Sequence, residues 1–102
     1  MKAHAHRLLN VLPDLCLSPL VRQVRVTFPH EVVEPVIEAR VDAVSLQLCR
    51  KEDEELEIWG LYDRDQIVSI EAWLDVRECL RVGIDPQIGP VLAYLDEQRK
   101  RR

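Results

Sequence analysis

Glycine is too scarce here to build a glycine-rich phosphate cradle. Only Gly60, Gly83 and Gly89 occur in 102 residues, and neither GxGxxG nor a P-loop can be assembled from them. Cysteine is equally sparse and odd in number. Cys16, Cys49 and Cys79 lie far apart with no CxxC pair, which argues against a disulfide scaffold and against a clustered zinc site. Reduced thiols in a cytoplasmic setting are therefore expected. No apolar run approaches the ~20 residues of a membrane-spanning helix, so no membrane association is expected. Aromatic residues are few: Phe28, Trp59, Tyr62, Trp73 and Tyr94 are all there are, in a chain that is 47% hydrophobic. The core must then be aliphatic, built on Val and Leu. With no Ser- or Gln-rich tract, that hydrophobic content argues against disorder.

What the chain has in excess is acid, and unevenly. Thirteen of its 18 acidic residues lie between Glu52 and Glu97, opposed there only by Arg64, Arg77 and Arg81, so this stretch carries −10 while the chain carries −4. The balance comes from a mildly basic first half and the terminal run Arg99, Lys100, Arg101 and Arg102. Such polarity attracts basic partners and repels phosphate backbones. The length fits a single domain over residues 1–102 with one core. A leucine-rich segment (1–20) opens it and a basic tail (99–102) closes it. Met1 to Arg7 is basic like a signal n-region, but Asn10, Pro13, Asp14 and Pro19 interrupt the apolar segment that follows. The segment is read as mature sequence.

Residues 3–12 are expected to form a short helix that Pro13 ends, with an irregular, core-capping continuation to Leu20. From Val21 to Phe28 the alternation of Val24, Val26 and Phe28 with Gln23, Arg25 and Thr27 predicts a half-buried strand. Glu31 to Val44 fits a helix, with Val33, Val36, Ile37, Val41 and Val44 on one face and Glu31, Glu34, Glu38 and Asp42 on the other. A strand over Ile37 to Ala43 is the competing reading. Val44, Leu46 and Leu48 alternate as a second strand. The polar run Arg50 to Glu55 is an exposed connection, and Leu56 to Tyr62 returns as the third strand of a hairpin. After a turn at Asp63 to Gln66, where Asp63 can cap a helical start, a short strand is expected at 66–70. A helix follows at 71–82, with Ala72, Trp73, Val76, Cys79 and Leu80 inward, ended at Gly83. Asp85-Pro86 opens a closing helix striped by Ile88, Val91, Leu92 and Leu95. The predicted class is α+β: a small antiparallel sheet with helices packed on one face, in the order α-β-α-β-β-β-α-α, with two helices at the C-terminus. Its β-α-β-β portion resembles ferredoxin-like arrangements, a likeness of topology that carries no function.

Chemistry is harder to find. His4 and His6 with Cys16 are the nearest thing to a metal set, but no second ligand pair accompanies them, so no metal and no cofactor are assigned. His30 stands alone. Cys79 falls on an apolar helix face and reads as an inert core thiol. Cys49, followed by Arg50 and Lys51, is the one thiol whose pKa a basic setting would lower, the minimum for a small cysteine-dependent enzyme. No catalytic residue is assigned, and the protein is read as non-enzymatic.

The leading expectation is an interaction module such as an adaptor, inhibitor or subunit, meeting a basic protein partner through Glu52, Asp53, Glu54 and Glu55 together with Trp59, Tyr62 and Trp73. Trp and Tyr are favoured interface anchors when exposed. The alternative is a nucleic-acid-associated regulator using Arg99, Lys100, Arg101 and Arg102, as a homodimer through its closing helices. Trp59…Tyr62-Asp63, Cys79 to Ile84 and Leu95-Asp96-Glu97 faintly resemble the C-terminal helices of MerR-like chaperone-modulator proteins. That likeness covers under half the chain, no helix-turn-helix precedes it, and no family is assigned from it.

Overall fold

The computed structural model describes residues 7–101. Residues 7–10 are helical (α1), and α2 (Leu12–Leu17) follows at once. Pro13 therefore starts a helix instead of ending one, because a first-turn residue has no intrahelical use for the N–H that proline lacks. Leu9, Val11, Leu12, Leu15 and Leu20 are all buried, so the leucine-rich segment is core-capping but more regular than its prolines predicted. Residues 3–6 of the expected first helix lie outside the described residues.

Six strands follow: β1 (Val21–Phe28), β2 (Glu31–Val33), β3 (Val36–Val41), β4 (Ser45–Lys51), β5 (Glu57–Asp63) and β6 (Ser69–Leu74). A 3-10 turn (Arg64–Gln66), capped by the Asp63 carboxylate accepting from the Asp65 N–H, joins β5 to β6. The chain closes with α3 (Val76–Arg81) and α4 (Ile88–Lys100). The fold is α+β with antiparallel strands and two C-terminal helices. The strands divide between two three-stranded sheets, ordered β2-β1-β6 and β3-β4-β5. One cluster of buried side chains joins them. Val24, Val26, Phe28, Val33 and Ile70 come from the first sheet and Val36, Ala39, Leu46 and Leu48 from the second, while the helices add Leu12, Leu15, Cys79, Val91, Leu92 and Leu95. It is aliphatic, with Phe28 its single buried aromatic.

The helix expected over 31–44 is not formed. Its place is taken by β2 and β3, separated by Glu34 and Pro35, whose peptide bond is cis. Two interruptions explain the false period. The break at Glu34-Pro35 and a register shift between Val36 and Glu38 leave Val33, Val36 and Ala39 buried, a spacing of three that imitates a helix. The β-branched residues here suit a pleated surface better than a helix. The element order consequently differs from the expected one.

The segment after the turn also differs. Strand β6 runs on to Leu74 because it pairs with β1 throughout, from Thr27↔Ser69 to Val21↔Leu74. Helix α3 is only six residues long; it buries Cys79 and leaves Val76 and Leu80 exposed. It starts where Asp75 accepts from the Glu78 N–H. It ends at Gly83, φ +77°, where the Ile84 and Gly83 N–H groups donate back to the Cys79 and Leu80 carbonyls at 2.9 and 3.1 Å. That paired closure needs a left-handed residue, which glycine supplies without steric cost.

Candidate functional site: the outer face of the β3-β4-β5 sheet

Side-chain alternation sets what each face of this sheet presents. Ala39, Leu48 and Gly60 stand opposite one another on the core side, as do Val41, Leu46 and Tyr62. The outer side carries Glu38, Cys49 and Trp59 in one row and Arg40, Gln47 and Leu61 in the next, with Lys51 opposite Glu57 at one end and Ser45 opposite Asp63 at the other. Trp59 is 40% exposed and Leu61 70%. The Arg40 guanidinium lies over the Trp59 ring, 4.4 Å from its centre, and also meets Glu38 at 3.5 Å.

Beneath this cover sits Cys49. It is 1% exposed yet separate from the core cluster, and its thiol donates toward Glu57 Oε1 at 3.9 Å. Burial pushes its pKa up, with Glu57 and Glu38 adding to the rise and Arg40 opposing it. This is the reverse of the lowered value expected from Arg50 and Lys51. Arg50 points to the opposite face and pairs with Glu52 instead. A buried thiol whose pKa is raised is poorly set up as a nucleophile. Cys79 is the core thiol expected, fully buried with its Sγ directed at the Leu20 carbonyl.

The predicted interaction residues are not gathered on one surface. Glu52, Asp53, Glu54 and Glu55 form the exposed β4-β5 connection, beside the Glu57 end of β5. Two of the four are engaged. Glu52 holds Arg50, and the Asp53 carboxylate accepts from the Glu55 and Leu56 N–H groups at 2.9 and 3.0 Å. The Glu54 and Glu55 carboxylates have no partner among the described residues, and Glu57 has only the thiol. Trp59 shares this end of the sheet.

Tyr62 does not. It points inward and stacks on Phe28, ring centres 4.4 Å apart and planes 12° from parallel, while its hydroxyl donates to Glu31 at 3.1 Å. Burial and that hydrogen bond raise its pKa. Trp73 lies on the outer face of the other sheet, under the Arg25 guanidinium at 4.7 Å. Arg25 also binds Glu34 at 2.6 Å and Glu71 at 3.6 Å. The strand parity of Trp59 was visible in the sequence. Glu38 and Arg40 were missed because residues 31–44 read as a helix, and Leu61 because it was one aliphatic among many.

At its Asp63 end, β5 borders an open hollow of about 620 Å³ lined by Val44, Leu61, Tyr62, Asp63 and Arg64 among others. The Arg64 guanidinium closes one side, donating to the Asp42 and Ala43 carbonyls.

The basic tail is largely spoken for by its own helix. Arg99 binds Asp96 and reaches the Asn10 carbonyl, Lys100 also meets Asp96, and Arg101 meets Glu97. The Arg99 hydrogen bond, with Lys100 nearby, holds the Asp96 carboxyl below its usual range. Arg102, His4 and His6 lie outside the described residues. Among those described, no group of three His, Cys, Asp or Glu side chains is placed to hold a metal ion, and no helix is long and apolar enough to cross a membrane.

Trp59, Tyr62 and Asp63, three of the residues that resemble helical chaperone-modulator sequences, lie on strand β5. No family model, no curated protein and no solved structure matches the chain.

Proposed function

We propose that this protein is a non-enzymatic interaction module, an adaptor, inhibitor or subunit, that meets a basic protein through the β4-β5 hairpin and the outer face of its sheet. One observation carries the reading. The exposed carboxylates of Glu54, Glu55 and Glu57 have no ion-pair partner among the described residues and adjoin the part-exposed Trp59 and the exposed Leu61. Unpaired charge beside an accessible tryptophan supplies both parts of a typical contact: long-range attraction for encounter and an anchor for affinity. Relative to the sequence expectation, the surface is narrower. It keeps Glu52 to Glu55 and Trp59, adds Glu57 and Leu61, and leaves Tyr62 and Trp73 to packing. The three free thiols, two of them buried, suit a cytoplasmic setting. The ion pairs within α4 leave the nucleic-acid reading of Arg99 to Arg101 without a supporting observation.

The test is affinity capture from lysate at low and high salt, repeated with Glu52, Asp53, Glu54 and Glu55 all changed to Lys. A basic protein retained at low salt, released at high salt and lost with the reversed variant is the expected result. Retention unchanged by charge reversal at low salt would refute the reading.

A further inference from the structure

We infer that the partner docks as an added strand: an extended basic segment pairing with the free edge of β5, with the side-chain pattern basic-x-apolar-x-apolar-x-basic. This deepens the interaction reading above and rests on it.

Strand β5 is the outer strand of its sheet, with β4 on one side and, among the described residues, no strand on the other. No backbone group of Glu57–Asp63 bonds to anything beyond β4 among the described residues. An open edge is normally blunted by proline, lysine, a bulge, shortness or a covering element. The opposite edge, β3, has Pro35 before it, a register shift after Val36, and α2 packed against it. Strand β2 has only three residues. Strand β6 is also outermost, but its pairing to β1 shifts register near Trp73, and Arg25 gathers both Trp73 and Glu71. In contrast, β5 pairs with β4 through seven residues in unbroken register and contains neither proline nor lysine.

The side chains along that edge state what would fit. Glu57, Trp59, Leu61 and Asp63 project from one face, so a neighbouring strand would set its own alternate residues against acid, aromatic, aliphatic and acid. Directly opposed pairs favour opposite charges and apolar matches. The matching order is basic, apolar, apolar, basic at every second residue. It reads the same in both directions, so it holds for a parallel or an antiparallel guest. Further acid at both ends, Glu54 and Glu55 at one and Asp65 at the other, extends the preference for a cationic segment. A second copy of β5 fits worse. Two-fold pairing centred on Gly60 would place Glu57 against Asp63 of the other chain, and like charges directly opposed are destabilising. Added-strand recognition draws affinity from main-chain hydrogen bonds and specificity from alternate side chains.

The probe is a capped peptide, Lys-Thr-Val-Thr-Val-Thr-Lys, titrated into the intact protein with hydrogen exchange read residue by residue. Two control peptides carry the same charges: one scrambled in order, one N-methylated at alternate residues to remove donors along one edge. The expected result is saturable binding, new amide protection confined to β5, and a loss of about tenfold or more for both controls, since main-chain bonds and register supply the affinity. If all three peptides bind alike and lose affinity with salt, the acidic-surface reading stands and strand addition is overturned. If none binds at low salt, both fail. If the free protein sediments as a dimer with β5 already protected, the edge belongs to a second copy and the basic-segment proposal is overturned.

Discussion

The Arg40 guanidinium lies 4.4 Å from the centre of the Trp59 ring, although the two residues belong to strands separated by β4. Strands lie about 4.8 Å apart, so Arg40 must cross the whole width of β4, and what it crosses is Cys49 and Gln47. A cation and an aromatic ring thus roof a thiol on the solvent side of a sheet.

Removing the ring should open that roof. Trp59→Ala is expected to accelerate alkylation of Cys49 severalfold and to cost about 1–2 kcal/mol, less than a fully buried aromatic would. Arg40→Ala should accelerate it less at equal exposure. It withdraws the one neighbouring charge that favours the thiolate while leaving Glu57 and Glu38 to oppose it. Mass-spectrometric rates for the three thiols in the native protein distinguish the two variants. Identical rates would show that access, not charge, sets Cys49 reactivity.

Gly60 is a close-approach position. A Cβ there would stand 2.7 Å from Tyr62 ring atoms, and the ring is pinned by Phe28 on one side and Glu31 at its tip. Gly60→Ala is expected to destabilise the fold by about 1–3 kcal/mol, the usual range for overpacking. In a Tyr62→Leu background the penalty should shrink by more than half, because touching residues are not additive. Urea midpoints of the four proteins in this cycle provide the check.

Stability should fall at alkaline pH. Burial pushes the Cys16 thiol up to about 12, with Glu38 adding to the rise, and burial also raises Cys49 and Cys79. Groups whose folded pKa exceeds the unfolded one contribute stability that is complete below the ordinary thiol range, near 9. It is lost as pH climbs toward the folded values, because the unfolded chain gives up its protons first. Urea midpoints at about pH 8 and about pH 10.5 should therefore differ, and Cys16→Ala should reduce the difference by removing one of the raised thiols.

Gly83 should resist substitution because of its backbone, not for lack of space. Gly83, at φ +77° with open space around it, meets no steric obstacle. Gly83→Ala should still cost about 1 kcal/mol from backbone conformation alone, and Gly83→Asn less. Thermal midpoints of the two variants report both costs.

Some of this molecule is local, and local features are legible. Val24 to Phe28 alternates without interruption, and the strand predicted over Val21 to Phe28 is β1 residue for residue. The hairpin of β4 and β5 follows from strand propensity on either side of residues too polar to bury, although Arg50 and Lys51, expected in the connection, are paired into β4 and the connection begins at Glu52. Gly83 ends α3 because no other residue adopts that backbone as easily. The aliphatic core, the buried Cys79 and three of the four stripe residues on α4, Val91, Leu92 and Leu95, follow from side-chain chemistry and spacing, whereas Ile88, the fourth, is exposed.

What tertiary structure decided lies where pairing outweighed local pattern. Residues 31–44 carry a helical period that is the shadow of two interruptions in strands, visible only once β2 lies on β1 and β3 on β4. Trp73 was drawn out of a helix into β6 by partners some 50 residues earlier in sequence. Periodicity reports which residues share a face, but not which neighbour supplies the missing hydrogen bonds. For the same reason the sequence held the acids and the tryptophan of the candidate surface but not its composition. The face joins Glu38 and Arg40 to Trp59 across a central strand, and the open edge of β5 exists only because sheet order leaves it last.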